Sequence, residues 1–291
     1  MPGRLMIRSS SFVSSAAAAA LLLVSAGARP VAAQHLPDLV TQDVLRVCSD
    51  PANMPFSERK GDGFENRIAQ IVADELKVKL RYYWLTQGPG FVRNTLGTGL
   101  CDLIIGTSGG EIIQPTNPYY RSAYVLVARK GELPDIKALD DPRLADKQIG
   151  IIAGTPPYGR LSELKLVGER THPYAPYAFG PERRHQTVAA EVIADLADKK
   201  IDVAILWGPA AGWLAKQSGV PMDVVPLLNE PGRPALTFRV SMGVRHNEND
   251  WKRTLNSVLR KRRADIEKVL KEYDVPLLAE EENKPLDTSD E

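Results

Sequence analysis

The run Asp102-Leu103-Ile104-Ile105-Gly106 returns one hundred residues later as Asp202-Val203-Ala204-Ile205-Leu206-Trp207-Gly208. Each copy is an acid, an unbroken apolar stretch and a glycine. An apolar run of this length reads as a strand buried on both faces, as in a parallel sheet sandwiched by helices. Outward from the first copy, Val44 to Cys48 is another such strand, and Phe64, Ile68, Ile71, Val72 and Leu76 fall at helical spacing. Val78 to Leu85 is β-rich, and a Gly-Pro-Gly turn at Gly88 to Gly90 introduces a short helix from Phe91 to Leu96. Outward from the second copy, Ile149 to Ala153 is a strand, and Val188, Val192, Ile193 and Leu196 mark a helix with Asp195 and Lys199 at i,i+4 spacing. Strand and helix alternate twice in the same order, so the expected fold is α/β with two similar lobes. Tyr119 to Ala128 is a long extended run between them. Leu236 to Val244 is a late strand, and Asp250 is placed to cap one long final helix from Trp251. That helix carries four consecutive basic residues, Arg260 to Arg263, read as a solvated flank balanced by Asp265 and Glu267.

The ends of the chain read differently from its middle. Arg4 and Arg8 precede an eleven-residue small and apolar run, Ala16 to Ala26, and Val31-Ala32-Ala33 offers a cleavage site. That is the pattern of a signal peptide, too short to span a bilayer as a helix. Cleavage after Ala33 leaves 258 residues, removes three arginines and no acid, and takes the formal net charge from +1 to −2. From Glu280 the tail has six acids and one lysine and is expected to be disordered. With 37 Lys+Arg against 36 Asp+Glu there is no basic excess for a nucleic acid. In an oxidising compartment the only two cysteines, Cys48 and Cys101, invite a disulfide. Rim geometry points the other way: the two lie at opposite ends of neighbouring parallel strands, about 13 Å apart, whereas a disulfide tolerates about 7 Å between Cα atoms. A disulfide and two buried thiols both stay open.

Most catalytic signatures are missing. His35, His172, His185 and His246 are scattered, and the chain has no HExxH, CxxC, Walker A or GxGxxG string. Neither a metal nor another cofactor is expected. Gly106-Thr107-Ser108-Gly109-Gly110 fits GxSxG after a strand, but a nucleophile elbow needs a helix at once, and Pro115 and Pro118 interrupt the next stretch of chain. The expectation is a binding protein and not an enzyme. Open α/β sheets bind ligands at strand C-termini, and the loops there supply the candidate cleft: Asp50, Met54 and Phe56; Phe91 and Arg93; Thr107 and Ser108; Tyr119; Thr155 and Tyr158; and Trp207. Gly154-Thr155 at a helix start would offer free N–H groups and a hydroxyl to an anion.

The order of parts resembles the periplasmic solute-binding family of the amino-acid-binding type. The resemblance lies in Leu45 to Ser57, Gly63-Phe64-Glu65, Cys101 to Gly106, Pro118-Tyr119-Tyr120 and Leu139 to Thr155, within residues 40–275. It implies the type II periplasmic binding protein fold, two lobes joined by two hinge crossovers that close over a ligand. The implied boundaries are 1–33 for the signal peptide, 36–128 for lobe 1, 129–236 for lobe 2, 237–277 for the completion of lobe 1, and 278–291 for the tail. The hinge would lie near Leu126 to Lys130 and Pro234 to Arg239.

Two departures matter. The amino-acid binders grip the α-carboxylate with an arginine in a Thr-x-x-Arg segment, where this chain reads Ser108 to Pro115 with no arginine. They hold the α-ammonium with an acid where this chain has Trp207-Gly208-Pro209. Without both charge-assisted grips a free amino acid is not the expected ligand. Val47 to Ser57, Gly63 to Asn66, Gly90 to Leu96 and Pro118 to Val125 resemble the binding-protein-like subgroup associated with quinoprotein alcohol dehydrogenases. That resemblance implies a periplasmic accessory of a PQQ-dependent methanol dehydrogenase, with a small molecule or peptide segment in the cleft. A solute receptor of a membrane transporter is the alternative it leaves.

Overall fold

The computed structural model describes residues 43–110, 112–176, 187–228 and 236–279. The expected signal peptide and acidic tail lie outside the described residues. Every element named below belongs to the unit Leu36–Glu291.

The first half contains strands β1 (Val44–Ser49), β2 (Ala52–Asn53) and β3 (Ser57–Glu58), helix α1 (Phe64–Leu76), β4 (Lys79–Trp84), the short α2 (Phe91–Asn94), β5 (Ile104–Thr107), β6 (Gln114–Pro115) and the long β7 (Tyr120–Arg129). Then come β8 (Ile149–Ile152), α3 (Pro156–Glu163), β9 (Thr171–Tyr174), α4 (Val188–Ala197), β10 (Val203–Trp207), α5 (Gly208–Gln217) and β11 (Met222–Pro226). Strand β12 (Thr237–Val244) and helices α6 (Asn249–Lys261) and α7 (Arg263–Glu272) complete the described chain. Both halves therefore have the alternating order the apolar periodicity predicts.

Strand β7 belongs to both halves. Its first four residues pair antiparallel with β12, from Tyr120 opposite Val240 to Ala123 opposite Thr237. From Tyr124 onward it pairs with β10, and Val125 to Arg129 pair with β11 on the other edge. The change of partners falls between Ala123 and Tyr124. On one side β4 lies parallel to β1, β1 meets β5 through Val47 and Leu103, and β5 runs antiparallel to β12. On the other side β10, β8 and β9 are successive parallel neighbours. One core gathers Leu45, Phe64, Ile68, Leu103, Met242, Trp251 and Leu270 beneath α1, α6 and α7. The β7–β10–β8 part of the sheet is packed on both faces, with Leu126, Ile151 and Ile205 in one cluster and Val127, Val192 and Leu206 in the other. Burying such side chains stabilises each half by about 1.5–3 kcal/mol per residue before entropy is counted.

Three local expectations change. The final helix is two helices: α6 starts at Asn249 after Glu248, Asp250 pairs with Arg253 and caps nothing, and the axis breaks at Arg262 inside the basic run. Arg262 pairs there with Asp265, which keeps the run on a solvated flank. Asp195 pairs with Lys200 at 2.7 Å, not Lys199, because α4 ends at Ala197 and Lys199 turns left-handed at φ 64°.

The third concerns the cysteines. Cys48 and Cys101 form a disulfide, with Cα atoms 5.5 Å apart. The rim argument assumed a full parallel ladder, but β1 and β5 meet at a single bridge and Cys101 precedes the extended part of β5. The disulfide sits among Phe91, Leu96, Ile104 and Ile113 in a small apolar cluster of its own.

Candidate functional site

The loop from β1 to α1 shapes one side of the candidate cleft. Asp50 is buried and committed to loop backbone: one carboxylate oxygen accepts the Ala52 N–H at 2.8 Å and the other the Gln87 N–H at 2.6 Å. Met54 is half-buried beside it, and its peptide to Pro55 is cis. Phe56 reaches furthest. Its ring lies tilted against Phe64, 5.1 Å between centroids, and packs against both the first core and the cluster of α4, α5 and β10. Glycine at 63 allows this, since a Cβ there would collide with the Phe56 carbonyl.

Phe91 is buried in the disulfide cluster, whereas Arg93 is exposed. The two meet with Gln87, Gly90 and Ile112 around a cavity of about 510 Å³. Thr107 ends β5 half-buried, its hydroxyl accepting the Gly109 N–H at 3.1 Å, and Ser108 is exposed. No helix comes next; the chain runs into β6, as a strand-to-helix elbow would not. Tyr119 donates its hydroxyl to the Ile105 carbonyl at 3.0 Å and lies edge-on to Tyr120 at 5.0 Å. Burial pushes both phenols well above their ordinary range, chiefly by desolvation.

The second half contributes less than its sequence promised. Thr155 turns its hydroxyl back onto the Ile152 carbonyl at 2.7 Å, and Pro156 and Pro157 bring no N–H to the first turn of α3. The expected anion cradle is therefore not formed. Tyr158 packs on the cluster of Ile151 and Leu161. Trp207 sits at the strand crossing, 5.4 Å from Tyr124 and 5.8 Å from Phe238, with Tyr124 and Phe238 themselves 6.1 Å apart. It also packs against the first core, so each half sends one aromatic, Phe56 or Trp207, onto the other. Burial raises the Tyr124 phenol to about 12. Glycine is required at 208 because a Cβ there would strike the Ala123 carbonyl.

Glu65 reads in the sequence only as part of a helix start. It lies in the first turn of α1, packed so closely to Gly106 that any Cβ on that glycine would collide with its carboxylate. Burial, with the charge of Asp50 next, pushes its carboxyl up to about 7. A Gly-Phe-Glu string gives no hint of this, because the effect depends on Gly106, far along the chain on β5.

Among the described residues no group of three or more His, Cys, Asp or Glu could hold a metal ion, and no helix is long and apolar enough to cross a membrane. No family model matches the chain. Protein MoxJ of Methylorubrum extorquens is 30% identical over 245 residues, 80% of this chain and 81% of that protein. The crystal structure of the periplasmic binding protein XoxJ from Methylobacterium extorquens AM1 is 79% identical, covers 81% of this chain and all of that one, and superposes with a TM-score of 0.71. An ancestral cationic amino acid solute binding protein, 19% identical, shares the fold over 82% of this chain and 99% of its own, with a TM-score of 0.63.

Proposed function

Because the chain belongs to the MoxJ-like family of periplasmic binding proteins, we propose that it is an exported, non-enzymatic accessory factor of a PQQ-dependent methanol or alcohol dehydrogenase. It acts in maturation, activation or docking, and receives a ligand between its lobes. In this reading residues 1–33 direct export and are removed. Lobe 1 is 36–128 with 237–277, lobe 2 is 129–236, and Phe56, Thr107, Ser108, Tyr119 and Trp207 face the cleft. The observation that carries it is the identity to MoxJ across four fifths of both chains, joined to a cleft that lacks the amino-acid binders' charged grips. Trp207 in place of an acid, packed edge-on or tilted against Tyr124 and Phe238, supports an apolar or peptide-like occupant over a zwitterion.

The test is affinity capture from periplasm with a tagged chain starting at Gln34, read by mass spectrometry for proteins and small molecules together. Recovery of a quinoprotein dehydrogenase supports the reading. A co-purifying small molecule with no dehydrogenase overturns it in favour of a solute receptor.

A further inference from the structure

Glu65 is enclosed by groups that do not serve it. Two neighbouring donors are spent on main-chain carbonyls: Tyr82 donates to the Asn66 carbonyl at 3.3 Å and Tyr119 to the Ile105 carbonyl at 3.0 Å. Asp50 faces it from the β1–β2 loop, bringing a second negative charge and no proton. Tyr82 on β4, and Tyr119 and Tyr120 at the head of β7, are the other titratable groups that feel its charge. Among the described residues the Glu65 carboxylate accepts no hydrogen bond, yet the residue is only half-buried and stays reachable from solvent. Gly106 is the cradle that leaves room for it. A partly desolvated carboxyl that accepts no hydrogen bond is costly to maintain, and a partner from outside the chain would relieve it.

We propose that the Glu65 carboxylate, seated against Gly106 and backed by Asp50, is the polar grip of the cleft and takes an ammonium or guanidinium group. The second carboxylate disfavours an anion in the same place and favours a cation. Asp50 contributes field and not contacts, since both its oxygens already hold backbone N–H groups. Tyr119 and Phe56 offer rings for the apolar stem of such a group. The proposal rests on the cleft being the binding site, and not on the identity of the dehydrogenase partner.

Binding a cation needs the ionised form of Glu65, so affinity is proton-linked. With the carboxyl at about 7, the competent fraction is about tenfold larger at pH 8 than at pH 6. The experiment titrates the mature chain with agmatine, a free guanidinium amine without a carboxylate, and with acetyl-Gly-Arg-Gly-amide beside its citrulline counterpart. It monitors heat of binding at pH 6 and pH 8, and the side-chain carboxyl resonance of Glu65 by NMR. The expected result is binding about tenfold tighter at pH 8, a Glu65 resonance whose midpoint falls on saturation, and loss of both in Glu65→Gln. Agmatine binding alone assigns the grip to a small amine, and preference for the arginine peptide over citrulline assigns it to a protein segment. Glu65→Gln keeps size and shape, and its melting curve reports that it folds; Gly106→Ala, which crowds the carboxylate, should weaken binding in parallel. Unchanged affinity in Glu65→Gln, or a Glu65 resonance indifferent to every probe at millimolar concentration, overturns the proposal. Cation binding without dehydrogenase capture would leave this site standing while the accessory reading fails.

Discussion

Asp102 and Asp202 make the same pair of backbone bonds in the two halves of the molecule. Asp102 donates its N–H to the Arg46 carbonyl at 2.8 Å and accepts the Arg46 N–H at 3.1 Å; Asp202 does the same with Gln148, at 2.8 Å each way. Each clasps the start of one strand to the start of the neighbouring one, which is why the acid opens both copies of the repeated run. The surroundings then diverge. Asp102 has a side chain fully out of solvent, holds the Arg46 guanidinium through both oxygens at 2.7 and 3.1 Å, has Arg245 at 3.6 Å, and lends its carbonyl to Trp251 at 2.9 Å. Asp202 is 35% exposed, with Arg129 at 3.6 Å. Helix α6 covers the first clasp and ties it to the core, while the second stays at a wet edge. Two copies of one motif therefore carry different shares of the stability, set by what lies on top of them.

The comparison can be broken most forcefully at the disulfide, which the first half has and the second lacks. Closing a 53-residue separation, it should contribute about 4 kcal/mol by restricting the unfolded chain. Cys48→Ser with Cys101→Ser should lower the urea midpoint accordingly, and a reductant should leave the variant unmoved. Next comes Asp102→Ala, which strands a largely buried Arg46 and should cost about 3 kcal/mol. Asp202→Ala should cost about 1 kcal/mol, one backbone bond and a weak surface pair. Equal losses in the two unfolding curves would refute the assignment of their difference to burial.

Between about pH 5 and 7 a falling pH dependence should arise from the first half, at Glu65. Glu65 binds a proton more tightly folded, at about 7, than unfolded, at its ordinary 4.5. Its favourable contribution is thus complete at low pH and is lost as pH rises through about 7. Glu65→Gln should remove that downward slope between about pH 5 and 7, read as the difference between the two stability profiles. The smallest effect sharpens the helix ending: Lys200→Ala should cost a few tenths of a kcal/mol, and Lys199→Ala less still, by thermal melts.

What was legible in the sequence was whatever a segment decides for itself. The Asp-led apolar runs gave strands in the right order, and Phe64, Ile68 and Val72 gave a buried helical face. Several features depend on neighbours that a linear reading does not place. The disulfide needs β1 and β5 to touch at one residue pair instead of along their length. The Thr155 hydroxyl is taken by the Ile152 carbonyl behind it, and Phe91 is packed against the cysteines, neither of which a linear reading places. Glu65 is the reverse case. An ordinary glutamate in a helix start becomes distinctive only through donors that point elsewhere.

After α7 the chain does not stop at its own half. Ser122 donates to the Pro276 carbonyl at 2.7 Å, the Leu278 N–H reaches the Arg121 carbonyl at 2.9 Å, and Asp274 pairs with Lys216 of α5 at 2.7 Å. Gly212 and Gly208 lack side chains where Asp274 and Pro276 press on them. Residues 274–278 therefore form a strap across the place where β7 changes partners. A swing of one lobe about that point would have to stretch or slide this strap, whose length would then limit the opening.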